Sequence, residues 1–145
     1  MVSYWDTSAI VPLLVREADS ALREKQLVSL PGLVTWWGSR LECLSALCRL
    51  EREGHFNAEA FEAARRRFDA LCLQWVEVPP SNIVRARAER LLRNHSLRAA
   101  DSLQLASALV AVNELTEGAG FYCADGRLCE AASREGFEVF PGAAV

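Results

Sequence analysis

The chain has 145 residues, close to the length of about 150 that is typical of one domain, so we expect a single domain over residues 1–145. A composition of 51% hydrophobic and 24% charged residues excludes disordered and collagen-like chains. The formal net charge of −3, from 16 basic and 19 acidic residues, argues at first against a general nucleic-acid-binding protein, which is usually basic.

Short apolar runs alternate with longer stretches that have helical spacing. The runs predict strands over residues 2–5, 33–36, 75–78, 121–124 and 137–140. Apolar spacing, capping residues and breaking residues predict helices over residues 8–15, 19–29, 40–52, 57–73, 81–94, 98–115 and 127–134. This alternation is typical of α/β proteins with a parallel sheet covered on both faces. We therefore expect a ligand site beyond the carboxyl ends of the strands.

The cysteines and histidines do not form a recognisable disulfide framework or zinc motif. The five cysteines are odd in number, have apolar neighbours and include no Cys-x-x-Cys pair, and the two histidines lack zinc-ligand spacing. No signal-peptide pattern begins the chain, and no run of about 18 apolar residues occurs. We expect reduced thiols in a cytoplasmic protein that does not contact membranes.

Two aspartates follow predicted strands. Asp6 comes directly after the first strand, and Asp125 follows the strand over residues 121–124. Each has a purely structural explanation, because Asp6 suits a helix N-cap and Asp125 suits an Asp-Gly turn with Gly126. The carboxyl ends of parallel strands share one edge of the sheet, however. The coincidence therefore favours a functional pair.

Two further acids lie in predicted helices with apolar surroundings. Asp101 shares a helical stripe with Leu105, so it faces the protein, although a first-turn acid is also favoured by the helix dipole. Glu42 lies in a mostly apolar helix, where a structural alternative is an ion pair with Arg49. If all four acids converge, their repulsion requires a cation, and oxygen ligands select Mg²⁺ or Mn²⁺. Such ions serve phosphate chemistry.

The four acids stand in sequence blocks that resemble the PIN-domain family, and within it the VapC-type toxins of type II toxin–antitoxin systems. The blocks are Tyr4-Trp5-Asp6-Thr7-Ser8-Ala9, Glu42, the segment Arg98-Ala99-Ala100-Asp101-Ser102-Leu103-Gln104-Leu105-Ala106-Ser107-Ala108-Leu109, and Ala124-Asp125-Gly126-Arg127-Leu128. The last predicted helix and strand also resemble the family, so the likeness spans essentially the whole chain. It implies a PIN-like, three-layer α/β/α fold with a central parallel sheet of four to five short strands.

The resemblance also implies a Mg²⁺- or Mn²⁺-dependent endoribonuclease. By position, Asp6 and Asp101 would bind the metal directly, and Glu42 and Asp125 would complete the acidic pocket, directly or through water. Ser8 would order the water, which attacks the phosphorus and leaves a 5′-phosphate and a 3′-hydroxyl. The chain departs from many members at Cys123, where a threonine or serine usually stands.

Partners follow from the same resemblance. It implies a homodimer and a small antitoxin that occupies the acidic groove. Two alternatives stay open: a non-toxin PIN nuclease of RNA maturation, and a non-catalytic PIN-like binding module, which the presence of all four acids disfavours.

Five arginines lie between residues 85 and 98, and they lead into the Asp101 helix. Arg93 and Arg98 are our candidates for RNA contact, against the alternative of a solvated helix face. Trp36 and Trp37 are expected to pack in the core or a dimer, with base stacking as the alternative. Setting aside the four acids of the pocket leaves 15 acidic against 16 basic residues, so the net charge does not argue against RNA.

Overall fold

Five strands and seven helices alternate in the computed structural model, which describes residues 1–142. In chain order they are β1 (Ser3–Trp5), α1 (Thr7–Leu14), α2 (Ser20–Ser29), β2 (Leu33–Trp36), α3 (Ser39–Arg52), α4 (Ala58–Cys72), β3 (Val76–Val78), α5 (Asn82–Asn94), α6 (Ala99–Ala111), β4 (Gly120–Tyr122), α7 (Gly126–Arg134) and β5 (Glu138–Phe140). The last three residues of the expected domain lie outside the described part.

The five strands form one sheet in the order β3-β2-β1-β4-β5, and every neighbouring pair is parallel. β1 is central, because Ser3 is paired with Leu33 of β2 on one side and with Gly120 of β4 on the other. All carboxyl ends therefore lie at one edge of the sheet. The expected parallel sheet is confirmed, with five strands.

Side chains of the central strands alternate between two hydrophobic cores. Tyr4 and Phe121 stack at 5.4 Å and pack against α5, α6 and α7, whereas Trp5 and Tyr122 stack at 4.5 Å and pack against α1, α3 and α4. Consecutive strand residues face opposite sides, so an aromatic pair on each face lets one short strand support both cores. The three-layer α/β/α architecture is thus confirmed.

Most predicted boundaries agree with the structure within two residues, and the largest difference is at the end of α6. The prediction carries this helix to residue 115, but it ends at Ala111. Asn113 and Glu114 have φ angles of 51° and 66°, a left-handed conformation that ends a right-handed helix. Within residues 1–142, no helix is both long enough and apolar enough to cross a membrane.

Candidate active site

The four predicted acids line one open cavity, with a volume of about 700 Å³. Its acidic lining residues are Asp6, Glu17, Glu42, Asp101 and Asp125. The cavity includes side chains that follow β1 and β4, so it lies at the carboxyl edge of the sheet. The structure therefore brings together all four acids that the sequence singles out, and it adds Glu17, which the sequence did not indicate.

Each of the four acids lies at the N-terminus of a helix. Asp6 caps α1 by accepting a hydrogen bond from the Ser8 backbone N–H at 3.0 Å, and Asp125 caps α7 by accepting one from the Leu128 backbone N–H at 3.0 Å. Glu42 and Asp101 lie in the first turns of α3 and α6. Helix N-termini favour negative charge, so four dipoles support this cluster of anions. The capping explanation and the functional one are both compatible with the structure.

Burial and mutual repulsion raise the pKa of three of these carboxyl groups. For Asp6, which is 5% exposed, burial is the main cause, and the charge of Asp101 adds to it against hydrogen bonds from Ser8. Burial also raises the pKa of Glu42, with Asp6 next, and that of Asp101, with Asp125 next. The four acids thus form one electrostatically linked group, whose charged forms gain from a bound cation.

Glu42 is held by hydrogen bonds from α1 and α6. Thr7 Oγ1 donates to Glu42 Oε1 at 3.1 Å, and Gln104 Nε2 lies 3.4 and 3.3 Å from the two carboxylate oxygens. Gln104 is buried, and its amide also donates to Ser39 Oγ at 3.0 Å while its Oε1 accepts from the Tyr4 hydroxyl at 2.6 Å. Sequence reasoning missed Gln104; the available signal was a glutamine within the apolar run of α6.

The alternative for Glu42, an ion pair with Arg49, is not formed. The ion pairs found within residues 1–142 do not join these two side chains. Arg49 instead lines the same cavity as Glu42.

Ser8 and Cys123 both contact the Asp6 carboxylate. Ser8 Oγ donates to Asp6 Oδ2 and accepts a hydrogen bond from the Ala124 backbone N–H at 2.8 Å, so it connects the ends of β1 and β4. Cys123 Sγ lies 3.7 Å from Asp6 Oδ2. The thiol therefore contacts the carboxylate at this position, and a thiol is a weaker hydrogen-bond donor than a hydroxyl.

A buried arginine that sequence reasoning missed supports the segment before Asp125. Arg23 of α2 is fully buried, and its guanidinium donates to the carbonyl oxygens of Cys123 and Phe140, both at 3.0 Å. Burial lowers the pKa of this guanidinium. No local pattern separates Arg23 from the surface arginines, because the two carbonyl oxygens that it binds lie 100 or more residues away in the chain.

The arginines between residues 85 and 98 are only partly available for RNA. Arg87 pairs with Glu114 at 2.6 Å, and Arg90 pairs with Glu135 at 3.0 Å. Arg85 is bonded to Asn82, whereas Arg93 and Arg98 are exposed and take part in no ion pair found within residues 1–142. Their proposed contact with RNA stays a prediction.

The two adjacent tryptophans have different environments. Trp36 packs in the core formed by α5, α6 and α7, as predicted, whereas Trp37 is 57% exposed and meets the Trp36 ring edge-on.

The chemistry of the donors fits a hard cation. The cavity offers carboxylate oxygens from four helices, the ligand type that Mg²⁺ prefers. Within the described residues, no three His, Cys, Asp or Glu side chains already stand close enough to enclose an ion. Mg²⁺ usually keeps several waters and needs only one or two direct carboxylates, so an open acidic cavity suits it better than a closed cage would.

No protein-family model and no curated protein matches the chain at a significant level. Solved structures are similar to it, however. The VapC20 toxin of Mycobacterium tuberculosis, described as cleaving the sarcin-ricin loop, is 20% identical over 93% of this chain and 95% of its own, with a TM-score of 0.63. The FitAcB structure from Neisseria gonorrhoeae is 16% identical over 97% and 96%, with a TM-score of 0.65.

A toxin–antitoxin complex from Klebsiella pneumoniae is 14% identical over 85% of this chain and 86% of its own, with a TM-score of 0.58. These likenesses extend over most of each chain, and they agree with the parallel sheet and the two helical layers described above. The chain therefore has the PIN-like fold of VapC-type toxins.

Proposed function

We propose that this protein is a metal-dependent endoribonuclease and the toxin of a VapBC-type toxin–antitoxin pair. The observation that carries the proposal is the convergence of Asp6, Glu42, Asp101 and Asp125 on one cavity, each from a different helix N-terminus. The fold is shared with a toxin described as cleaving RNA and with a toxin–antitoxin complex, and this supports the same assignment here.

The roles proposed for the four acids are those that the resemblance to VapC-type proteins implies for their positions in the sequence. Asp6 and Asp101 would hold Mg²⁺ or Mn²⁺, and Glu42 and Asp125 would complete the site directly or through water. The ion, when bound, supplies an activated water and stabilises the departing oxygen. Gln104 and Thr7 orient Glu42, while Ser8 keeps Asp6 in register with the end of β4. We expect products with a 5′-phosphate and a 3′-hydroxyl.

The partners belong to the same proposal. The Klebsiella structure is a toxin–antitoxin complex, and this supports an antitoxin as a partner here. In our proposal the antitoxin is small, covers the acidic cavity and keeps a cytoplasmic toxin inactive. RNA would be the substrate, and two copies of the chain would form a homodimer.

The decisive experiment compares purified wild type with Asp6→Asn on single-stranded RNA, with Mg²⁺ or with EDTA. Wild type should cleave only with the metal, and Asp6→Asn should lose activity by at least about a hundredfold. Asp69→Asn is the matched control, because Asp69 is exposed on α4 and pairs with Arg65 at 3.2 Å. Equal cleavage by wild type and Asp6→Asn would refute the nuclease assignment.

The toxin assignment has its own test. Induced expression of wild type should stop bacterial growth, whereas Asp6→Asn should not. Mapping new 5′-phosphate ends across the transcriptome after induction would identify the RNA target. A wild type that cleaves RNA in vitro but leaves growth unaffected would instead indicate a nuclease of RNA maturation.

A further inference from the structure

Arg49 is the one cationic side chain among the residues that line the acidic cavity, as far as residues 1–142 are concerned. It lies on α3 seven residues after Glu42, and Ser45, which lies between them, also lines the cavity. Seven residues are about two helical turns, so Arg49 is about 10 Å further along the helix axis than Glu42. One wall of the cavity thus runs from a carboxylate to a guanidinium.

The guanidinium of Arg49 is not committed to another part of the fold. Arg49 is exposed and has no ion pair among those found within residues 1–142. Other arginines of the chain are held by the protein: Arg87 by Glu114, Arg90 by Glu135, and Arg67 by the carbonyl oxygen of Leu14. An arginine that faces an acid-lined cavity without a carboxylate partner is available for an anion from outside.

We infer that Arg49 binds a phosphate of the RNA strand that flanks the scissile phosphate. This inference rests on the proposed nuclease function, since the four acids mark where the scissile phosphate is placed. Because Arg49 lies about two turns along α3 from Glu42, we assign it a neighbouring phosphate on the same strand, which its planar guanidinium can bind through two hydrogen bonds. It would also offset the repulsion between the acids and the RNA backbone.

The α3 wall then forms a track for the substrate, in addition to Arg93 and Arg98. Arg49 contributes to RNA affinity and to the register of the strand on this track. The chemistry at the acids should be largely independent of it.

The test compares Arg49→Gln with Arg52→Gln. Arg52 is exposed on the last turn of the same helix and does not line the cavity, so the two variants remove the same charge from neighbouring positions. Each is made in an Asp6→Asn background, and binding of a fluorescent single-stranded RNA is measured by anisotropy in Mg²⁺ across a series of KCl concentrations. Cleavage kinetics of the corresponding single variants supply KM and kcat.

The logarithm of the RNA affinity falls with the logarithm of the salt concentration. Removing one cation that binds a phosphate should make this slope shallower by about 0.7 for a single strand. We expect this decrease for Arg49→Gln, together with about a fivefold to tenfold rise in KM and an unchanged kcat. Arg52→Gln should behave as its parent does, and Arg49→Lys should recover the salt slope.

Three results would overturn the inference while leaving the proposed function intact. They are a salt slope in Arg49→Gln equal to that in Arg52→Gln, a decrease confined to kcat, or a defect only in binding of the antitoxin. If wild type neither binds nor cleaves RNA, the proposed function itself fails. Thermal unfolding of each variant shows whether the fold is retained, and Arg49→Lys provides the comparison if Arg49→Gln is unstable.

Discussion

The side-chain amide of Gln104 meets both carboxylate oxygens of Glu42, at 3.3 and 3.4 Å. Because the same amide donates to Ser39 Oγ and accepts from the buried Tyr4 hydroxyl, it is fixed from the core side. A residue without access to solvent therefore sets the direction of a cavity acid. Sheet packing on one face is in this way connected to the geometry of the site.

Replacing Gln104 with leucine should lower both stability and activity. Glu42 and Tyr4 would lose a partner, which costs about 1–3 kcal/mol in the free energy of unfolding. Loss of the amide that orients the Glu42 carboxylate should also reduce cleavage by about tenfold or more, chiefly through kcat. Gln74→Leu is the control, since Gln74 is exposed. Urea unfolding and steady-state cleavage measure the two effects, and wild-type kcat in a folded Gln104→Leu would refute the positioning role.

The pH dependence of stability should report the buried charge of Asp6. The pKa of Asp6 is raised in the folded protein, so the folded state binds this proton more tightly than the unfolded chain does. The resulting stabilisation is complete at pH values below the ordinary carboxyl range, and it is lost as the pH rises through the raised pKa. Asparagine can also cap a helix but does not titrate. In EDTA, the stability of Asp6→Asn relative to wild type should therefore increase from about pH 4 to pH 7. A difference that stays constant, measured by urea unfolding, would contradict this.

Binding of a divalent ion should offset the loss of stability that the buried charge of Asp6 causes near pH 7. At about a hundred times its Kd, Mg²⁺ would stabilise wild type by about 2.7 kcal/mol, and this corresponds to a rise in Tm of several degrees for a domain of this size. Asp6→Asn should respond much less, because the buried ligand is gone. Thermal unfolding with and without Mg²⁺ gives the answer, and EDTA should restore the lower Tm. Equal shifts in both proteins would mean that the ion binds elsewhere.

The hydrogen bonds of Arg23 to the segment before Asp125 should contribute to the stability of the fold. Arg23→Met removes the hydrogen bonds to the carbonyl oxygens of Cys123 and Phe140, and we expect a decrease of about 1–3 kcal/mol in the free energy of unfolding. Arg16→Met is the control, because the exposed Arg16–Glu24 pair should contribute less than about 1 kcal/mol. Chemical denaturation compares the two, and equal costs would show that the buried hydrogen bonds add nothing.

Local patterns in the sequence predicted the strands, the helices and the four acids. Residues 33–36 are predicted without error as β2, because Pro31 and Gly32 end the preceding helix and an apolar run follows at once. The four acids are identifiable because each stands next to a strand end or in an apolar helix.

The supporting residues have a weaker signal or none, since Gln104 stands out only as a glutamine within an apolar run and no local pattern marks Arg23. Gln104 and Glu42 are 62 residues apart in the chain, and Arg23 and Cys123 are 100 apart. A glutamine or an arginine in a helix is usually exposed, so burial by a distant element is not visible in a local pattern. The left-handed pair at Asn113 and Glu114 was missed for a related reason, since glutamate rarely adopts that conformation.

Asp6 and Asp125 cap helices with the same carboxylates that they present to the cavity. Asparagine is as good a cap as aspartate. Exchange at these two positions would therefore remove half of the charge of the four-acid cluster and leave the helices, the sheet and both cores in place. An inactive copy of this chain would have the same backbone path as an active one. Under the proposed function, activity would depend on the ends of four side chains and could be lost in evolution without any change in the backbone.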